Sequence, residues 1–360
     1  MFKIIEQDHE IMQGSALEVI EAAGRTCWKS EGRIERDENG NSTTAQKFFN
    51  GLRKRNHTAM FEFGTITLAG TDLHRIFYDG LYKLLSFPGI RTQSVKYMHC
   101  TKGCGDAYLT ASIRTFMQLF TDAPESALAR VIYPTLLAEL PEVFGDFDVR
   151  AVHSHDLVGL HLLGLAYEDV TVIDPRTLDE EHRVVHEHVA VRFVTDRGVT
   201  HEMVRHRPCG FAQESTRYVN YKKGVEFIRP QWFDEKYVGW QHEMDTEDQR
   251  LELACAAAAG KLDSDYVTFL LNCRLTAYDY TNLLNNGRLP QEGRDVLSNA
   301  LKTEICVVAN LEQWNHMFDL RVRGTTGKPH PQIKALMYPA MIELNDLTDG
   351  VISKDMPEGA

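Results

Sequence analysis

The chain has 360 residues, 43% of them hydrophobic, enough for a large buried core in one large domain or two ordinary ones. A formal net charge of −12 argues against a nucleic-acid binder, which needs a broad basic face. No apolar run reaches the length of a membrane span, the start MFKIIEQDHEIM lacks a signal-peptide core, and seven irregularly spaced Cys suit reduced thiols, so a soluble, cytoplasmic protein is expected.

In chain order, Ala16 to Cys27 reads as a helix, Ser30 to Thr44 as a polar loop, and a second helix and a short strand follow before residue 63. Apolar-polar alternation and β-branched content make Gly64 to Leu68 a strand. Tyr108 to Met117 is predicted helical, as is a run before Pro141, and Thr171 to Glu181, with Asp174-Pro175 inside it, is the expected linker. Val189 to Thr195 is the next strand. Asp245 to Asn286 reads as long amphipathic helix broken near Gly260, with Leu251, Leu253, Ala254, Ala257, Phe269, Leu270 and Leu275 as its apolar positions. Asn285-Asn286-Gly287 stops it. Arg294 to Phe318 is expected to be another helix, and Pro329 onward a last one. The fold class is α+β: one catalytic domain, 1–360, with a mainly helical internal insertion at about 64–180.

The most informative stretch is RHRPCGFAQESTRY. Arg205, His206 and Arg207 are followed after seven residues by Ser215-Thr216-Arg217-Tyr218. Arg presents a planar fork of donors suited to phosphate and carboxylate oxygens, so a compact cluster in an acidic protein suits a small anionic metabolite. A solvated basic loop is the plainer alternative. The whole string resembles the signature of the flavin-dependent thymidylate synthases. So do His186 to Glu202 leading into it, Ala23-Gly24-Arg25-Thr26-Cys27-Trp28 and His57 to Phe63 near the start, and Leu289 to Arg294 and Asn315 to Arg321 downstream. His57 to Phe63 resembles the family's first strand.

The resemblance implies long helices packed on an antiparallel sheet, a homotetramer with shared active sites, and conversion of dUMP to dTMP. It implies FAD as cofactor, with methylenetetrahydrofolate as carbon donor and NADPH as reductant. It places Arg205, His206, Arg207, Gln213, Asn310, His316 and His188 at the flavin. Glu202, Arg205, Gln213, Glu214, Ser215, Arg217, Arg294 and Arg321 fall at the nucleotide, with Arg321 against the pyrimidine as the catalytic cation. Arg294 and Arg321 show the family's spacing. Ser215 is assigned to binding, since no base and orienter stand beside it in sequence. Asn310 and His316 are expected on the helix that carries Arg321.

Two departures leave the base and the transferred group open. Glu62-Phe63 stands where the family often has Glu-His, and Pro208-Cys209-Gly210-Phe211-Ala212 replaces commoner small polar residues. The alternatives are a related pyrimidine-nucleotide C5-modifying enzyme, acting by hydroxymethylation or on a cytosine nucleotide, and a silent nucleotide-binding homologue. No metal site is expected. His99-Cys100 with Cys104 lacks a second ligand pair, and the same-face pairs His186/His188 and His153/His155 suit solvated or hydrogen-bonded imidazoles. No Gly-rich phosphate loop is present.

Overall fold

The computed structural model describes residues 2–71, 73–84, 98–149, 170–233, 255, 258–260 and 263–356. Strand β10 (Lys302–Asn310, KTEICVVAN) explains most of the architecture. All nine of its residues are buried: Ile305 to Ala309 are apolar on both faces, and the buried charges of Lys302 and Glu304 pair with each other. It lies at the centre of an antiparallel sheet, between β7 (His188–Asp196) and β8 (Gly210–Gln213), with β2 (Asp8–Met12) outside β7. Successive side chains of a strand point to opposite faces. Cys306 and Val308 accordingly join one core with Ala190, Ala212 and helix α1 (Ala16–Trp28), whereas Ile305, Val307 and Ala309 join a second. That second core is closed by α11 (Leu311–Phe318) and α12 (Pro331–Leu347) through Trp314, Phe318, Ile333 and Met337.

The expectation of a helix over Arg294 to Phe318 is corrected by this strand. The apolar middle, Ile305 to Ala309, has no polar residue to set a helical period, and its β-branched residues pack well on a pleated surface. Only its ends are helical: a 3-10 turn at Arg294–Val296, and α11.

A second antiparallel sheet has the order β4-β5-β3-β6. It comprises β3 (Thr65–Gly70), β4 (His99–Lys102), β5 (Ala107–Ser112) and β6 (Thr171–Ile173). Tyr108 to Ser112, expected to be helical, is therefore a strand. The helix α4 (Ile113–Asp122) starts only where Ser112 Oγ accepts from Thr115 N at 3.2 Å. The expected linker opens as the edge strand β6, which pairs Thr67 with Ile173, and helix α7 (Glu180–His186) follows. Segment 64–180 thus carries four short strands beside α3 (Leu73–Leu84), α4, α5 (Ala127–Glu139) and the short α6 (Pro141–Phe144), with more of its described residues in helices than in strands. Leu68, Leu109, Phe116 and Leu136 share one apolar core with α1.

Three N-terminal features differ from expectation or were not foreseen. Thr58–Phe63 is a 3-10 turn rather than a strand, placed after α2 (Ala45–Lys54). Strand β1 (Phe2–Ile5) pairs in parallel with β9 (Val225–Ile228), and β2 extends the first sheet. Phe2, Ile4, Val225 and Phe227 form a third core with α9 (Ser264–Asn285) through Leu270, Cys273 and Tyr280. Gly287, at φ 88°, turns the chain after α9, where the sequence places the stop. The earlier part of that expected helix, and the pair His153/His155, lie outside the described residues. Among the described residues no helix is long and apolar enough to cross a membrane.

Candidate active site

Strand β7 ends at Asp196, whose side chain accepts from Val199 N at 2.8 Å and so caps α8 (Arg197–Met203). Two turns later α8 delivers Glu202 and releases the chain into Arg205-His206-Arg207. His206 N donates to Met203 O at 3.1 Å, which turns its imidazole inward while both arginines stay exposed. After Pro208 the chain enters β8 at Gly210. A Cβ there would stand 2.7 Å from Val308 Cγ1, so only glycine lets the signature lie this close to the central strand.

Arg321 reaches the same place from the other end of the sequence. It sits in a π-helical turn, Asp319–Arg323, which extends α11 and ends at Gly324 with φ 72°. Its Nη1 donates to Glu202 Oε2 at 2.8 Å, Nη2 to Glu202 O at 3.2 Å, and Nε to His206 Nε2 at 3.2 Å. The His206 nitrogen facing this cation must be unprotonated, which leaves the proton on Nδ1. Burial, reinforced by the charge of Arg321, pushes the His206 pKa down to about 4. The His316 ring stands edge-on to His206 at 5.9 Å. Glu202, His206, His316 and Arg321, far apart in sequence, are therefore one cluster. Asn310 is the last residue of β10 and the cap of α11, so it precedes the expected helix rather than lying within it.

A cleft opens on the signature itself, at Pro208 and Gly210, just beyond His206 in the chain. Glu62, Thr65, His99 and Ser112 line it together with His188, Pro208, Gly210, Val308, Ala309 and Asn310. His188 Nδ1 donates to the His186 carbonyl at 3.0 Å, which fixes the tautomer and leaves Nε2 as an acceptor. Burial holds the His188 pKa near 4. Asn310 is almost fully committed: its side chain accepts from Gln313 N and donates to Val185 O, both at 3.0 Å. His186 ends α7 and is not on the strand, so the expected same-face pair with His188 does not form. Its ring is held between Thr101 Oγ1 at 2.7 Å and Thr110 Oγ1 at 2.8 Å, and burial lowers its pKa to about 3. Cys100 is half-buried and Cys104 exposed, and among the described residues no three His, Cys, Asp or Glu side chains are arranged to hold a metal ion.

The remaining expected contacts diverge in character. Gln213 Nε2 donates to Thr200 Oγ1 at 2.9 Å and to Thr303 Oγ1 at 3.3 Å. The Glu214 carboxylate is buried and committed within the chain, accepting from Tyr221 Oη at 2.7 Å and from Lys302 Nζ at 3.2 Å. Ser215 Oγ accepts from Arg217 N at 3.3 Å, and Ser215 N donates to Cys27 O at 3.0 Å. Arg217 lies over the Tyr218 ring at 5.2 Å. Arg294 follows the short helix α10 (Pro290–Gly293) and is exposed. Among the described residues, no hydrogen bond or ion pair engages the guanidinium of Arg205, Arg207, Arg217 or Arg294. Nor does any link Arg217 or Arg294 to Arg321.

Sequence reasoning missed Thr65, Ser112 and Glu62 as parts of the cleft, and weighed His99 only as a metal ligand. The alternation at Thr65 to Leu68 marks a strand but does not say which strand pairs with it or what its end faces.

Sequence comparison links the chain to known proteins. The family model described as thymidylate synthase complementing protein matches residues 157–345, just over half of the chain. Among curated relatives, the flavin-dependent thymidylate synthase of Mycobacterium avium (strain 104) is 30% identical over 180 residues, covering 49% of this chain and 66% of the relative. That of Mycobacterium tuberculosis (strain ATCC 25618 / H37Rv) is 31% identical over 148 residues, covering 40% of this chain and 54% of the relative. The chain thus spans less than two thirds of the length of these relatives. Among solved structures, a UMP/dUMP methylase PolB from Streptomyces cacaoi bound with 5-Br dUMP aligns at a TM-score of 0.34 and 16% identity. That alignment covers 62% of this chain and 88% of the other.

Proposed function

Because this chain belongs to the thymidylate synthase complementing protein family, the flavin-dependent thymidylate synthases, we propose that it methylates dUMP at C5 to give dTMP. The observation that carries this reading is the union of Glu202, His206 and Arg321 next to the signature, together with Arg205, Arg207, Arg217 and Arg294, whose guanidinium groups have no hydrogen-bond or ion-pair partner among the described residues. In a chain of 51 acidic and 39 basic residues, guanidinium groups left without carboxylate partners suit an anionic ligand.

The lining of the cleft suits one edge of a flavin ring. His206 and His188 remain neutral near pH 7, His188 offers an acceptor in Nε2, and Gly210 admits a close backbone approach. When bound, reduced FAD supplies hydride, with the carbon coming from methylenetetrahydrofolate and NADPH as the reductant. Arg205, His206, Arg207, Gln213, Asn310, His316 and His188 would hold the flavin, with Arg205 also near the nucleotide. Ser215, Arg217 and Arg294 would hold the phosphate end of dUMP, and Glu202 orients the catalytic cation. Arg321, fixed by Glu202 and His206, stabilises negative charge that develops on the pyrimidine, at no cost of reorganisation during the step. The committed carboxylate of Glu214 supports a positioning role: it braces Tyr221 and Lys302 behind Ser215.

Purified protein incubated with FAD and desalted tests this reading. A retained flavin spectrum, with activity indifferent to a chelator, is expected. A colourless protein, or turnover abolished by the chelator, contradicts it.

A further inference from the structure

One wall of the cleft comes from the second sheet. Thr65 on β3 is in register with Ser112 on β5, and His99 on β4 with Thr110 on β5, so three adjacent strands bring residues to the cleft opposite the signature. Most polar groups here already have partners. Ser112 Oγ accepts from Thr115 N and shares a hydrogen bond with Thr115 Oγ1 at 2.9 Å, Glu62 is paired with Arg114, and Asn310 is committed as described. His99 is not among them. Among the described residues, neither of its ring nitrogens has a hydrogen-bond or ion-pair partner, although the ring is half-buried and stands 6.0 Å from that of His188. A half-buried imidazole that faces the cleft without a protein partner keeps its hydrogen-bonding capacity for a ligand. Burial also lowers its pKa, so it is a neutral imidazole with one donor and one acceptor.

We propose that His99 is a ligand-contacting residue of this cleft, holding, together with His188, the imide edge of a bound pyrimidine-type ring. The inference rests on the proposed function. An imide presents an N–H between two carbonyls. His188 Nε2 accepts the N–H, and the His99 N–H donates to a carbonyl oxygen. The flavin ring and uracil both carry this edge, so both are probed.

The test uses the full chain, with FAD and dUMP titrated separately by calorimetry into wild type, His99→Leu and His99→Gln. Loss of one hydrogen bond to a buried imide predicts about tenfold weaker binding of one of the two ligands to His99→Leu. His99→Gln, which keeps a donor and an acceptor, is expected to stay within about threefold of wild type. The weakened ligand identifies which ring occupies the site. Histidine modification of wild type by diethyl pyrocarbonate, mapped by peptide mass spectrometry, gives the same answer if a variant does not fold: the cognate ligand should protect His99. Unchanged affinity for both ligands in both variants, or modification of His99 unaffected by saturating FAD and dUMP, overturns the inference. A wild-type protein that binds neither ligand overturns the proposed function, and this inference with it.

Discussion

Arg321 and His206, 115 residues apart, meet through an Nε to Nε2 hydrogen bond of 3.2 Å, and burial together with this contact keeps the imidazole neutral. The imidazole accepts from a permanent cation and therefore stays neutral, while the guanidinium is held at three points and cannot swing away from the signature. Replacing Arg321 by Ala should lower kcat by the equivalent of about 2–4 kcal/mol, the scale of a lost donor to developing charge. Arg217→Ala should instead raise KM about tenfold with less effect on kcat, because a phosphate contact is held throughout the reaction. Steady-state kinetics of the two variants decides the matter; the reverse pattern contradicts the assignment.

Ser215→Ala should retain measurable turnover, with KM for dUMP raised by about tenfold or less. Among the described residues no base is hydrogen-bonded to the hydroxyl. The adjacent Glu214 carboxylate is occupied by Tyr221 and Lys302, and Ser215 Oγ accepts from a backbone N–H. A nucleotide covalently linked to Ser215, found by mass spectrometry after quenching during turnover, contradicts this.

Stability should fall on acidification before most carboxylates titrate. His186, His188 and His206 have folded pKa values of about 3, 4 and 4, below the ordinary 6.5. As pH falls through 6.5, the unfolded chain binds protons that the folded chain refuses, so stability present above that value is lost toward pH 4. Between pH 7.5 and pH 5.0 the Tm should drop by on the order of 5 °C or more. A Tm that is flat or rises over that interval would contradict the burial of three neutral imidazoles.

These histidines also show what the sequence could and could not reveal. The signature and the later Arg321 segment were legible as motifs, and the helices at α1, α5 and α12 as amphipathic patterns. The strands β5 and β10 were not. Both are buried nearly throughout, on both faces, so polar and apolar positions follow neither a two-residue nor a helical period. His99 could not be placed without the pairing of β4 on β5, because register is a property of two strands and not of one. The committed state of Glu214 was equally hidden, since its partner Lys302 lies 88 residues away.

A homotetramer is the expected assembly. Leu275 and Tyr278 of α9 are 58% and 66% exposed, and Leu289 just beyond is 55% exposed, an apolar surface suited to a neighbouring copy. Arg217 and Arg294, exposed and unlinked to Arg321, would then meet an active site completed across chains. Light scattering should give four times the 41.0 kDa chain mass. A fully active monomer at micromolar concentration would refute the shared site.

The most direct measurement is product analysis by mass spectrometry after incubating the FAD-loaded protein with NADPH, methylenetetrahydrofolate and either dUMP or dCMP. The account predicts dTMP from dUMP, dependent on every component, and no product from dCMP. A hydroxymethylated nucleotide, a product from dCMP alone, or unchanged dUMP with flavin and nucleotide both bound would contradict it.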